Sequence, residues 1–384
     1  MATTARGRVL PLDGLRTVAI LAVMAYHIHL PHSTGGFLGV TVFFVLSGYL
    51  ITTLLLKERR RTGKIRLARF SIRRVLRLYP ALLAMILVGV VLWPLVGDYK
   101  GAHLPSGTAA AISLTYTGNL FRAFWHTSQG VFAQTWSLAM EEQFYLVWPA
   151  VLLLLAFFQT KRRVIIAGLG VAVIACAIVI HALYVTPSGN ATANVYFNPI
   201  LGAAPLLTGC ALAIALDQER VRAAVTGAIG QAATWVGLAA LVTLAALVPS
   251  DWNAHVWTFS LVLPAAGVAA AVLVGGLVTT PSWLGAALSL TPLAWFGRRV
   301  SYAAYLWHPL MIALLTPLVS GLWGKLVMIA VALIVATASA FVIEMPVEWL
   351  RERIREARAL RVQMRAEQEQ ERVNADLAPV SARS

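Results

Sequence analysis

"LDGLRTVAILAVMAYHIHL", Leu12 to Leu30, is the stretch on which the reading of the chain turns. It has the length and apolar character of a membrane helix, yet Arg16 stands near one end and His27 near the other. At 3.6 residues per turn, the step from Arg16 to His27 is about three turns plus 20°, so both side chains leave on one face. The rise between them is about 16 Å. Ionisable groups inside a span normally face a protein interior or a cavity. Two readings are open for this helix taken alone. Arg16 snorkels to lipid phosphates while His27 sits at the interface, or the two mark a polar conduit.

Bulk composition supports the membrane reading. Of 384 residues, 59% are hydrophobic and only 12% charged, with a mean hydropathy of +0.75. A water-soluble surface of this size needs far more charge. Several apolar runs approach the roughly 20 residues that cross a bilayer core. They are too long and uninterrupted for barrel strands. The formal net charge of +15 is read as the Lys/Arg bias of cytoplasmic loops, not as a nucleic-acid footprint. Cys176 and Cys210 each lie in an apolar run, which gives neither a disulfide framework nor metal spacing. The basic N-terminus precedes an apolar run interrupted by Arg16, with no small-residue cleavage site, and is read as retained.

The apolar runs give about ten spans: 12–30, 36–56, 78–97, 136–158, 163–184, 196–216, 228–249, 256–278, 301–320 and 325–344. "KERRRTGKIRLARFSIRRVLR" (57–77) carries ten basic residues against one acid, so it is placed in the cytoplasm. "KRR" (161–163), "QERVR" (218–222), "GRR" (297–299) and "RERIREAR" (351–358) fall on the same side only if 108–124 does not cross. That segment is therefore read as re-entrant or surface-lying, and both termini as cytoplasmic. The outer loops are nearly uncharged, with Asp98, Lys100 and Asp251 among few charges. Residues 1–350 form a transmembrane domain on this reading. Residues 351–384 form a charged cytoplasmic tail, a solvated helix with Glu and Arg at i,i+3 and i,i+4 spacing, and then a disordered end, "NADLAPVSARS". The expected fold is an all-α polytopic membrane protein of the plasma (inner) membrane.

Several motifs could carry chemistry. In "QTWSLAMEEQFYLVWP" (134–149), Ser137 and Glu141 share a helix face and Glu142 points elsewhere. Two adjacent carboxylates in a membrane helix are expensive unless they function or are paired, although a first-turn Glu also suits the positive helix end. Tyr145 lies one turn on. Glu141 at the depth of His27 could orient its imidazole and raise its basicity, and the pair could then deprotonate a hydroxyl. In "RRVLRLYP" (73–80), Arg74 and Arg77 share a face beside Arg73; positive-inside anchoring explains most such residues, but arginine pairs also bind phosphates. His308 in "SYAAYLWHPLM" and Glu344 in "VIEMPVEW" are either buried packing partners or site residues. Ser47 and Gly48 in "FFVLSGYLI" read as close helix packing. His27, His308 and Glu141 form no recognisable metal-ligand spacing.

These motifs resemble, in their order along the chain, acyltransferase family 3, whose members are integral-membrane enzymes that acylate carbohydrates and some antibiotics. The matching segments are "LDGLR…H", "GVTVFFVLSGYLIT", "RRVLRLYP", "WSLAMEEQFYLVWP" and "SYAAYLWHP", running from Leu12 to about Leu350. Each is loose alone; five in order are specific. The resemblance implies ten core spans and an acyl-CoA donor, acetyl-CoA foremost, reaching the site from the cytoplasm as co-substrate, with no covalently bound cofactor. It places the family's Arg-x10-His motif on Arg16 and His27, its Arg-x-x-Arg motif on Arg74 and Arg77, and its Ser-x-x-x-Glu motif on Ser137 and Glu141. Some members carry a C-terminal extracytoplasmic hydrolase-like domain; the short charged tail here is read as lacking one.

The function expected from the sequence is O-acylation of a hydroxyl on a carbohydrate, glycolipid or glycosylated metabolite. His27 would act as general base or as a transient acyl carrier, tuned by Glu141, with Ser137 beside it. Arg16 would stabilise negative charge near the thioester or hold CoA phosphates. Arg73, Arg74 and Arg77 would bind CoA. Glu142, Tyr145, His308 and Glu344 would bind substrate or hold structure. The alternative is a proton-coupled transporter or a lipid or glycan flippase using the same intramembrane Arg, His and Glu.

Overall fold

The structure, a computed structural model, describes residues 9–65, 67–96, 99, 104–185, 195–251 and 255–377. Among them every regular element is helical. The first helix, α1 (Leu10–His27), starts with Pro11 and Asp13 in its first turn. A proline there loses no intrahelical bond, and a carboxylate suits the positive helix end. The chain turns back through His29 and His32, both in the left-handed region, into α2 (Leu38–Thr62). That helix stops at Gly63, whose φ of 70° places it in a left-handed cap, with Arg59–Arg61 in the last turn.

Next comes α3 (Leu67–Val91), with Pro80 inside it. It begins well before the apolar run at 78. The intervening arginines and leucines are good helix formers, and hydropathy alone does not register a helix that runs on beyond the lipid. Segment 108–124 breaks at Tyr116 (φ 52°) into α4 (Ser106–Leu114) and α5 (Gly118–Phe124). At 1.5 Å per residue neither is long enough to cross a bilayer core of about 30 Å. Then follow α6 (Thr135–Phe157), α7 (Arg162–Val185), α8 (Ala204–Leu216), α9 (Ala228–Leu247) and α10 (Leu263–Thr279). Short helices α11 (Trp283–Leu288) and α12 (Thr291–Arg299) lead into α13 (Ser301–Leu315), α14 (Gly321–Ser339) and α15 (Met345–Leu377). A π-turn precedes α10 (Thr258–Val262), and another joins α14 to α15 (Ala340–Glu344).

Among the described residues, seven helical segments are long and apolar enough to cross a membrane: Thr34–Thr62, Arg74–Val91, Thr135–Phe157, Arg162–Leu183, Ala228–Leu247, Thr258–Thr279 and Gly321–Ile354. The expected spans at 12–30, 196–216 and 301–320 are helical over shorter or more polar stretches, in α1, α8 and α13. Packing accounts for their tolerance. Most of α13 is buried, from Ala303 to Ala313, so protein replaces lipid as its solvent. In contrast, α7 exposes Val171, Ile174 and Ile178, each more than half accessible. Such a face is stable only in hydrocarbon. The tail departs from expectation: α15 runs through Asn374–Leu377, part of the stretch expected to be disordered. No proline or glycine interrupts the sequence between Pro346 and Pro379. Residues 378–384 lie outside the described residues, as do Asp98 and Lys100.

Helices α2 and α8 cross closely. A methyl group at Gly48 would overlap the Leu206 carbonyl, and one at Gly209 would overlap the Val45 carbonyl. Small residues on both sides allow this approach. The crossing fixes α2 against the bundle and leaves its Ser47 face toward α6.

Candidate active site

Helix α6 organises the site by presenting a different partner at each turn. Ser137 Oγ lies 2.5 Å from the Tyr305 hydroxyl on α13. Tyr305 also donates to the Gln134 carbonyl at 3.1 Å, and Gln134 Nε2 donates to the Leu306 carbonyl at 2.9 Å. One turn on, Glu141 accepts from Ser47 Oγ of α2 at 2.7 Å. Glu142, about 100° round the helix, faces α3 and accepts from Arg74 through Nε at 3.0 Å and Nη2 at 2.8 Å. The Arg74 guanidinium stands 3.6 Å over the Tyr145 ring. Finally, Trp148 Nε1 donates to Thr52 of α2 at 2.8 Å. The two adjacent carboxylates of the sequence thus serve two different helices.

Helix α1 runs alongside. Arg16 lies 3.6 Å from Asp13, its neighbour one turn back. At the far end, His27 Nδ1 is 3.1 Å from His308 Nε2. His308 has no solvent exposure, and its Nδ1 is 3.0 Å from the Ala304 carbonyl. The Tyr26 ring meets His27 edge-on, and Tyr305 lies 5.8 Å from His308, ring to ring. Among the described contacts, the carboxylate expected to orient His27 has another partner. Glu141 bonds Ser47, and a second imidazole stands against His27.

The arginines gather at the other end. Arg77 feels the charges of Arg16, Arg74, Glu344 and Glu348, and Glu141 feels those of Arg74 and Arg16. Arg77 is exposed and, among the described residues, makes no ion pair within 4.0 Å. Arg74 is neutralised by Glu142. The side chain of Arg73 lies outside the described residues. Glu344 ends the second π-turn, and its buried Oε1 has no hydrogen-bond partner among the described residues. Among these residues no cluster of three or more His, Cys, Asp or Glu could hold a metal ion. A small, largely apolar pocket adjoins the site, lined in part by Phe44, Trp136, Tyr196 and Phe259. Its walls suit hydrocarbon rather than a nucleotide.

Sequence reasoning missed several participants. Ser47 looked like a packing residue. Tyr305 looked like an aromatic flank, although it lies one helical turn from His308. Arg122 on α5 attracted no notice, yet its guanidinium sits 4.0 Å over Phe197 among Trp136, Tyr196 and Phe197. The short pairing distance of His27 and His308 joins residues far apart in sequence, and local periodicity carries no signal of it.

An all-helical, multi-pass membrane protein with a histidine pair and an arginine cluster along one internal face is the class these features define. The sequence model described as "Acyltransferase domain" matches residues 10–345, and the chain belongs to that family of acyltransferases. Peptidoglycan O-acetyltransferase OatA of Listeria monocytogenes is 33% identical over 353 residues, covering 88% of this chain and 55% of that protein. O-acetyltransferase OatA of Staphylococcus aureus is 33% identical over 312 residues, covering 78% of this chain and 50% of that protein. The chain thus spans about half the length of these curated relatives. No solved structure matches it.

Proposed function

We propose that the protein transfers an acetyl group from acetyl-CoA to a hydroxyl of a cell-wall glycan. Family membership and the relatives' names support the reaction class and the glycan acceptor. The observation that carries the site assignment is the imidazole pair of His27 and His308, set on the same helix as Arg16. His27 removes the proton from the acceptor hydroxyl. The oxygen attacks the thioester carbonyl, the C–S bond breaks, and the proton passes to the departing thiolate. The alternative course, in which His27 first carries the acyl group, uses the same imidazole.

Arg16, about 16 Å along α1 from His27, helps to hold the phosphates of CoA. Arg77 is the phosphate contact at the mouth, because Glu142 already neutralises Arg74. Arg73 joins it there. Glu141 tempers the field between Arg16 and Arg74. Ser137 docks α6 to α13, and Tyr145 and Glu142 hold Arg74. Glu344 lies within the electrostatic reach of Arg77 without an ion pair among the described residues, so Arg77 keeps its charge for a phosphate. The topology is ten crossings of a bacterial plasma membrane with both termini in the cytoplasm, residues 1–350 as the membrane domain and 351–384 as a cytoplasmic tail. In that frame the arginine end faces the cytoplasmic donor and α4–α5 dips in without crossing.

The test is CoA release from acetyl-CoA by purified protein with a muramyl oligosaccharide as acceptor. Acceptor-dependent release that is lost in His27→Ala supports the proposal. Movement of a glycan or lipid across vesicles without CoA turnover would replace it with the transporter reading.

A further inference from the structure

The geometry points to His308 as a positioning residue that fixes the tautomer of His27 and thereby assigns the reacting nitrogen as Nε2. This inference rests on the proposed transfer for its catalytic meaning, but not for its geometry.

The assignment follows from two distances. A backbone carbonyl only accepts hydrogen bonds. His308 Nδ1, 3.0 Å from the Ala304 carbonyl, therefore carries a proton. A second proton on His308 would place a full positive charge where solvent does not reach, which is costly. The neutral ring then has its lone pair on Nε2. That lone pair faces His27 Nδ1 at 3.1 Å, so His27 donates from Nδ1. A neutral His27 protonated at Nδ1 keeps its own lone pair on Nε2. The chain of constraint runs from a peptide carbonyl, through one imidazole, to the basic nitrogen of another.

Pro309 follows His308 inside α13, and its missing N–H leaves the Tyr305 carbonyl, next to Ala304, without its helical donor. Ala304 lies one turn before His308, on the same face. Tyr305, one residue further, is held by Ser137 and the Gln134 carbonyl, so the whole turn is clamped to α6.

The arrangement does the job usually given to a carboxylate, without a charge. When His27 Nε2 takes the acceptor's proton, the acceptor O–H bond breaks and an N–H bond forms. The resulting imidazolium still donates from Nδ1 to His308 Nε2, and that bond strengthens because the donor is now charged. The positive charge is spread toward the Ala304 carbonyl. When Nε2 gives its proton to the thiolate, the starting tautomer returns. The His27–His308 pair itself is neutral again between turnovers.

The test is a nitrogen-15 NMR spectrum of histidine-labelled protein in detergent, which separates the two neutral tautomers directly. The His27 signals are those missing from His27→Ala. The expected result is a His27 ring protonated at Nδ1. In His308→Phe the acceptor is gone, and His27 should shift to the Nε2-protonated form or a mixture. His308→Gln, whose side-chain oxygen can accept from Nδ1, should restore the original signature. In parallel, His308→Phe should lower kcat on the order of 10²–10⁴-fold, the range for lost general-base function, with donor KM unchanged, and His308→Gln should recover most of it. A wild-type His27 protonated at Nε2, or a tautomer indifferent to His308→Phe, would overturn the inference. The spectrum needs no turnover, so an active His27→Ala protein would overturn the proposed function while leaving the tautomer result standing.

Discussion

The two ends of α1 stabilise polar groups in opposite ways. Around Arg16, full charges meet: three arginines share the field of Glu141, Glu142, Glu344 and Glu348. Around His27, the hydrogen-bond partners described are uncharged groups: an imidazole against His27 itself, and next to it a phenol, a serine hydroxyl and backbone carbonyls. A charged network punishes loss of one member, because the partner is left as an uncompensated buried charge. A neutral network tolerates loss more easily but encodes direction, since each donor must meet an acceptor. The difference suggests a division of labour, with anion binding at the arginine end and directed proton transfer at the histidine end.

The strongest break of this comparison is His27→Ala. It should cut transfer on the order of 10²–10⁴-fold while thermal unfolding in detergent changes little, because His27 is a helix-end residue that is only partly buried. Arg74→Ala should behave in the reverse sense. It strands Glu142 and bares the Tyr145 face, and should cost about 3 kcal/mol of stability, read as a lowered unfolding temperature. Arg74→Lys keeps the charge but loses the two-point contact and the stacking, and should cost about 1 kcal/mol. Tyr305→Phe is the mildest. It removes the hydroxyl between Ser137 and the Gln134 carbonyl, and should cost about 1 kcal/mol, with activity falling only as His308 loosens.

Periodicity made much of this legible. It set Arg16 and His27 on one face, and it set Ser137 with Glu141 while turning Glu142 aside, which is how α6 shares its carboxylates between α2 and α3. Apolar runs found a helix at every expected span. They missed the early start of α3, because arginine-rich helix outside lipid has no hydropathy signature. They also gave no measure of burial, so α13, enclosed by protein, and α7, bare to lipid, looked alike. The site was harder. His27 and His308, or Ser47 and Glu141, meet through tertiary packing, and nothing local in either segment encodes the partner. Arg74 read as a phosphate ligand from its charge and spacing, whereas its engagement by Glu142 depends on how α3 leans on α6.

The most direct measurement is the split of kcat and donor KM between the two ends, taken on purified protein with acetyl-CoA and a glycan acceptor. The account predicts that His27→Ala lowers kcat and leaves donor KM unchanged. Arg77→Ala, and Arg16→Lys more mildly, should raise donor KM, about tenfold for Arg77→Ala and equivalent to about 1.4 kcal/mol, with turnover at saturation preserved. A His27→Ala protein with normal kcat, or an Arg77→Ala protein that loses kcat at unchanged KM, would contradict it.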